Sequence, residues 1–190
     1  MSRLLIGLVA GIAVAALGFL WLNGYIYRQE QGGVENYREV EFRMSGERVQ
    51  LVDDEARTRR MMGAASESIV RYFGNSATGD LNGDGVPDAA FLVTQEAGGS
   101  GTFFYAVGAI RNAAGRFQGT DAVLIGDRIA PQSTEIRDGL LVVNYVDRAP
   151  GEPMVAQPSV GKSLYLKLDP RTFQFGEVVQ DFEGESRNER

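Results

Sequence analysis

The stretch "GDLNGDGVPDAAFLVT", residues 79–94, places a polar, glycine-rich loop directly before an almost continuously apolar run. Oxygen-bearing side chains recur along the loop at Asp80, Asn82, Asp84 and Asp88. The apolar run after it is short and rich in residues that suit a buried strand at the centre of a sheet. The stretch therefore predicts both a turn of a β structure and a candidate metal site.

The spacing of the oxygens in this loop is that of a calcium-binding loop. With Asp80 at position 1, the other side-chain oxygens fall at positions 3, 5 and 9, and Gly85 falls at position 6, where the chain must turn sharply. Ca²⁺ takes six to eight hard oxygen ligands, whereas Mg²⁺ demands a stricter octahedron and keeps its waters. The predicted Ca²⁺ ligands are Asp80, Asn82, Asp84, the backbone carbonyl of Val86, and Asp88.

The loop has two other interpretations. An EF-hand closes with a bidentate Glu at position 12, but that position is Phe91, so a strand follows the loop instead of a helix. A polar turn without an ion is the second alternative, because Asp, Asn and Gly are common turn residues. Three carboxylates this close repel one another unless a cation lies between them, and this favours the metal.

Residues 73–93, "FGNSATGDLNGDGVPDAAFLV", resemble the FG-GAP or VCBS-like repeat of integrin-type β-propellers and bacterial surface proteins. The shared features are the Phe73–Gly74 pair, the GDxNGDGxxD core and the apolar strand after it. The resemblance implies Ca²⁺ bound in a β-hairpin loop by the five ligands named above. The chain holds one copy, and a closed propeller needs at least four blades of four strands. The remainder resembles small membrane-anchored bacterial proteins of unassigned function.

Composition excludes several classes of function. The chain has 190 residues, which suits one domain with an extra segment, and its net charge of −6 comes without a basic run, so no nucleic-acid partner is expected. There is no cysteine and no histidine. Disulfides, thiolate and imidazole metal sites, a lipidated cysteine and Ser-His-Asp catalysis are therefore excluded. No enzyme is expected.

The N-terminal segment differs in composition from the rest of the chain and is considered separately from the β domain. Residues 4–22, "LLIGLVAGIAVAALGFLWL", carry no charge, and a helix of about 19 residues spans roughly 28 Å, close to the thickness of a bilayer core. Aromatic residues suited to the membrane–water boundary lie at its far end: Trp21, Tyr25 and Tyr27. A poor small-x-small cleavage site favours an uncleaved signal-anchor transmembrane helix over residues 1–28, with a cleaved signal peptide as the alternative.

This anchor predicts the arrangement of the whole chain. Arg3 favours an N-terminus in the cytoplasm and a soluble domain outside it, in the periplasm of a Gram-negative organism. Gly7 and Gly11 form a GxxxG pattern that could support a weak homodimer. The predicted divisions after the anchor are a tether at 29–36, a β domain at 37–180 and a charged flexible tail at 181–190.

The first part of the β domain contains one strand pair and one ambiguous region. Alternation from Val40 to Met44 predicts a half-buried strand, with 49–52 as its hairpin partner. Residues 53–65 predict a short helix capped by one of the two aspartates that begin it. Residues 68–73 fit either the end of that helix or a strand.

The rest of the domain predicts strands joined by turns. Asp138–Gly139 between two apolar runs is a strong hairpin signal. The predicted strands are 89–94, 102–110, 122–126, the two halves of 133–147, 162–169 and an edge strand in 173–179, with an irregular loop at 148–161. The fold class is therefore mainly β: one antiparallel domain of seven or eight strands, as a sheet, a sandwich or a blade-like unit, with at most one or two short helices.

These features predict a membrane-tethered extracytoplasmic β module with a structural calcium site, which meets a protein or another envelope component without catalysis. One alternative is a carbohydrate-binding module, which needs exposed aromatic side chains on one face. A less favoured alternative is a carboxylate- or metal-dependent hydrolase, which needs an acid-lined cleft. Two Asp-Arg pairs, Asp127–Arg128 and Asp147–Arg148, could line a polar surface together, although local ion-pair roles are favoured.

Overall fold

The computed structural model of the chain describes residues 34–59 and 67–179. These ranges contain twelve strands and one short 3₁₀ helix, Tyr37–Glu39. The strands are β1 Glu41–Met44, β2 Glu47–Gln50, β3 Glu55–Arg59, β4 Glu67–Gly79, β5 Asp88–Glu96, β6 Phe103–Arg111, β7 Phe117–Gly119, β8 Val123–Asp127, β9 Ala130–Arg137, β10 Leu140–Asp147, β11 Val160–Asp169 and β12 Gln174–Glu177.

The strands form three antiparallel sheets. The first sheet is the β1–β2 hairpin, and the second has four strands in the order β12-β11-β10-β9. The third sheet has six strands: β3, β4, β5 and β6 lie side by side in this order, and β7 and β8 both pair with β6. On the far side of β6, its first half pairs with β8 and its last residues pair with β7. The expected mainly antiparallel β domain is thus confirmed.

The six-stranded sheet is the middle layer of the fold. On one face it packs against the β1–β2 hairpin, in a core that includes Phe42, Val49, Leu51, Val70, Phe91, Val93 and Val107. On the other face it packs against the four-stranded sheet, in a core that includes Leu92, Ala106, Ile110, Leu141, Val143, Leu164 and Leu166. Because residues 89–93 of β5 are covered on both faces, this run is continuously apolar instead of alternating.

The predicted helix at 53–65 is wrong where the structure describes it. Asp53 and Asp54 have φ of 53° and 65°, and Val52 and Glu55 exchange backbone hydrogen bonds at 2.9 and 3.2 Å across them. Aspartate tolerates the left-handed region better than most residues, so this pair makes a tight turn into β3. β3 then obtains its hydrogen bonds from β4, which overrides its helical preference. Residues 60–65 lie outside the described residues.

The ambiguity at 68–73 is settled as strand. These residues belong to β4, which is 13 residues long and runs up to the polar loop. Its last residue, Gly79, pairs with Asp88, the first residue of β5, so the loop joins two neighbouring antiparallel strands. We call the end of the domain that carries this loop the loop end.

Other expectations have mixed outcomes. The hairpin around Asp138–Gly139 is confirmed as β9–β10, and β12 is an edge strand that pairs with β11. The hairpin partner expected at 49–52 is β2, Glu47–Gln50. The described residues hold more than the expected seven or eight strands, because β3 and the three-residue β7 were not predicted and 68–73 was left ambiguous. The predicted anchor at 1–28, most of the tether and the tail at 181–190 lie outside the described residues. Within 34–59 and 67–179, no helix is long and apolar enough to cross a membrane.

Candidate metal centre

Asp80 organises the first half of the loop. Its Oδ1 accepts a hydrogen bond from the backbone N–H of Gly83 at 2.7 Å, and its Oδ2 accepts one from Gly85 at 2.9 Å. Both glycines have φ near +80°, at 82° and 81°, a region that favours glycine and lets the chain curl around the carboxylate. The N–H of Gly85, followed by its neighbours in the loop, lowers the pKa of Asp80. Asp80 therefore stays ionised near neutral pH.

The next two predicted ligands make short-range turns. Asn82 Oδ1 accepts from the N–H of Asp84 at 2.9 Å, and Asp84 Oδ1 accepts from the N–H of Val86 at 2.7 Å. The side chains also meet directly, because Asn82 Nδ2 donates to Asp84 Oδ2 at 2.9 Å. This pattern is the Asx turn, in which a side chain satisfies the backbone two residues on.

Asp88 differs from the other predicted ligands because it is fully buried. Its Oδ2 accepts from the N–H of Leu81 at 2.8 Å, and its Oδ1 accepts from the N–H of Arg111 at 2.8 Å. Burial raises the pKa of Asp88, and the negative charges of Asp84 and Asp80 raise it further. Asp88 thus closes the loop and fastens it to the last residue of β6.

Leu81 has a structural role in the loop that the sequence did not predict. It stands between two predicted ligands, yet it is only 1% exposed and packs in the core between the two large sheets. The loop is therefore anchored from inside by an apolar side chain. The signal available in the sequence was a lone large apolar residue within an otherwise polar loop.

The four-stranded sheet also reaches the loop. A Cβ placed on Gly139, in the β9–β10 turn, would lie 4.0 Å from the backbone oxygen of Asp80 and 2.7 Å from Lys167 Nζ. That ammonium donates to the carbonyl of Gly139 at 2.9 Å. The turn and a positively charged side chain of one sheet thus lie beside the loop of the other sheet.

The donor set is of the kind that Ca²⁺ prefers, but it is not gathered around one point. Across the described part of the chain, no three His, Cys, Asp or Glu side chains converge as a metal centre requires. Asp80, Asp84 and Asp88 instead accept hydrogen bonds from backbone N–H groups. Each carboxylate oxygen that accepts one such bond keeps a second lone pair. Ca²⁺ binding at Asp80, Asn82, Asp84, Val86 and Asp88 therefore stays a prediction.

The two Asp-Arg pairs meet at the opposite end of the domain. Asp127 pairs with Arg128 at 2.8 Å, and Arg148 Nη1 donates to the backbone oxygen of Arg128 at 3.0 Å. Asp147 pairs with Lys162 at 2.7 Å instead of with the adjacent arginine. The ion pair is thus present within Asp127–Arg128 but not within Asp147–Arg148, and Arg148 instead links the loop after β10 to the β8–β9 turn.

Comparison of the chain with known protein families, with curated proteins and with solved structures finds no match. The resemblance of residues 73–93 to the FG-GAP or VCBS-like repeat stays a prediction that rests on the sequence.

Proposed function

We propose that this protein is a membrane-tethered extracytoplasmic β module in which Ca²⁺ at the 80–88 loop stabilises the fold, and that it meets an envelope partner without catalysis. The observation that carries the calcium proposal is the curl of one short loop, in which the N–H groups of Gly83 and Gly85 bind the Asp80 carboxylate and the buried Asp88 closes the loop. Burial is the main cause of the raised pKa of Asp88, and the negative charges of Asp84 and Asp80 raise it further, so each of them repels the Asp88 carboxylate. A divalent cation held between them would offset this repulsion.

Stabilisation of the whole domain follows from the place of the loop in the fold. The loop contacts the middle sheet through Asp88 and the core between the large sheets through Leu81. An ion that needs this arrangement binds the folded chain and not the unfolded chain. Such binding raises the free energy of unfolding by mass action.

The described domain begins near this same end. Val34 and Phe117 exchange backbone hydrogen bonds at 2.9 and 2.7 Å, and Phe117 pairs with Arg111, whose N–H binds Asp88. Residues 29–33 can span at most roughly 18 Å when fully extended. If residues 1–28 cross a membrane, the loop end of the domain therefore faces that membrane.

Thermal melts test the calcium site. We would melt the full chain in detergent micelles with excess EDTA, Mg²⁺ and Ca²⁺ in turn. For a millimolar dissociation constant, a tenfold excess of ion adds about 1.4 kcal/mol. This raises the midpoint by a few degrees for a domain of this size.

The expected result is a rise specific to Ca²⁺ that Asp84→Ala abolishes. Asp138→Asn is the matched control, because Asp138 is an exposed aspartate outside the loop, and it should keep the rise. The same melting temperature with all three additives would contradict the calcium site.

Cell fractionation tests the tether. The full chain should sediment with membranes after a high-salt wash, and a chain without residues 1–28 should be soluble. A truncated chain that still sediments with the membranes would overturn the tether.

A further inference from the structure

Away from the loop end, one face of the six-stranded sheet carries several partly exposed side chains, and no described strand packs over them. The register aligns Glu55 with Arg71, Arg71 with Thr94, and Thr94 with Phe104, so these side chains form a row on one side of β3, β4, β5 and β6. Nearer the loop, the same side of the sheet packs against the four-stranded sheet and forms part of the core between them. We call the open face the patch formed by Glu55, Arg71, Phe73, Thr94, Glu96 and Phe104.

Phe73 stands out on this face. It is the extra residue at a register shift in β4, between the pairs Tyr72–Val93 and Gly74–Leu92. Its ring meets the ring of Phe104 edge to face, with centroids 5.1 Å apart and planes at 80°. Phe104 is only 7% exposed, whereas Phe73 is 44% exposed. The buried ring of Phe104 thus packs against the ring of Phe73, which exposes much of its surface to solvent.

The charged groups on the same face are paired with one another. Arg71 Nε donates to Glu55 Oε2 at 3.1 Å, and Arg71 Nη1 donates to Glu96 Oε2 at 3.0 Å. A guanidinium held by two carboxylates loses little freedom when a ligand binds, and this favours affinity. The open face therefore sets an apolar ring beside fixed hydrogen-bond donors and acceptors.

We propose that the open face binds a glycan. The apolar C–H face of a pyranose ring would pack on Phe73, and neighbouring hydroxyls would exchange hydrogen bonds with Arg71 and Glu96. Hydroxyl groups both donate and accept, so they match a paired guanidinium and carboxylate. This inference goes beyond the proposed function and does not depend on the ion or the tether.

The size of the apolar surface favours a sugar over a protein. A whole aromatic side chain buries about 150–250 Å², so the exposed part of Phe73 offers on the order of 100 Å². One sugar ring can cover that area. A stable protein interface buries about 800 Å² on each partner and has an apolar centre, whereas this face also carries the paired charges of Arg71, Glu55 and Glu96.

Direct binding measurements test the proposal. We would titrate the full chain, in a detergent without a sugar headgroup, with cellohexaose, chitohexaose and isomaltohexaose. Concentrations up to about 10 mM detect a dissociation constant near 1 mM, which a single small contact can reach. The variants are Phe73→Ala, Phe73→Tyr and Leu124→Ala, with melting curves to show that each is folded. Leu124 is an exposed apolar control on β8, 51% exposed and outside the open face.

We expect at least one sugar to bind. Phe73→Ala should weaken that binding about tenfold or more, because the apolar face of the sugar loses its partner. Phe73→Tyr keeps the ring and should retain binding, as should Leu124→Ala. Asp84→Ala should also retain binding, which separates this proposal from the calcium site. The proposal would be overturned if none of the sugars bound, which is the result expected if the ring serves a protein partner. It would also be overturned if Phe73→Ala bound the sugar as tightly as the wild type.

Discussion

The Asp88 carboxylate accepts a hydrogen bond from the backbone N–H of Arg111 at 2.8 Å, although the two residues are 23 positions apart in the chain. The bond joins the first residue of β5 to the last residue of β6. The other oxygen of the same carboxylate accepts from Leu81. Asp88 therefore has a structural role that exists with or without an ion.

Asp88→Asn should destabilise the domain. An amide has one acceptor oxygen and one NH₂ donor, so one of the two N–H groups at this position would face a donor. A buried polar group left without its partner costs about 1–3 kcal/mol. Each kcal/mol should lower the melting temperature by about 2–4 °C. Asp138→Asn is the control, because it removes the same charge at an exposed position. Equal melting temperatures for the two variants would show that the structural role of Asp88 is wrong.

Gly79→Ala should also destabilise the domain. A Cβ at this position would lie 2.6 Å from Ile136 Cγ2 and 2.8 Å from Ile136 Cβ, across the gap between the two large sheets. Overpacking of this kind typically costs about 1–3 kcal/mol. Urea unfolding should show a lower midpoint than for Gly99→Ala, because no atom lies within 4 Å of a Cβ at Gly99. Matching midpoints would mean that the sheets separate more easily than this packing indicates.

Arg148→Ala should loosen the loop after β10 without unfolding the sheets. Arg148 Nε donates to the carbonyl of Ala156 at 2.7 Å, and its Nη1 donates to the carbonyl of Arg128. Hydrogen exchange should become faster at residues 149–158 and stay unchanged in β5, because local opening needs no global unfolding. Arg171→Ala is the control, since the side chain of Arg171 is 91% exposed. Unchanged exchange in the loop would show that Arg148 is not its main attachment.

The Asp147–Lys162 pair predicts a loss of stability in acid. The hydrogen bond from Lys162 lowers the pKa of Asp147 below its ordinary value. A carboxyl with a lowered pKa in the folded state contributes stability that is present above its unfolded pKa of about 3.9 and is lost as the pH falls through its folded pKa.

Melting curves between about pH 5 and pH 2 test this pair. Asp147→Asn removes the contribution, so the melting temperature of the wild type should fall more steeply than that of the variant. The difference should correspond to at most about 1 kcal/mol, because surface ion pairs are weak. Parallel curves would show that the pair contributes nothing.

The elements predicted correctly from the sequence are those that local chemistry decides. The Asp138–Gly139 turn was predictable because a left-handed pair between two apolar runs has few other conformations. The centre of the sheet was predictable from the apolar run that became β5. The helix expected at 53–65 failed because Asp53 and Asp54 suit a helix cap and a left-handed turn equally well. Only pairing with β4 decides between them.

The sequence by itself determined the regular oxygens of the 80–88 loop, the hairpins and the mainly β character, because these depend on neighbouring residues and on short periodicities. The tertiary structure decided which strands cover the two faces of β5, that Asp88 binds the backbone of Arg111, and that Leu81 is buried while Phe73 is exposed. Burial depends on which distant strands pack together. A local pattern can indicate that a residue is buried but not which residues it contacts, because those partners come from strands far apart in the chain.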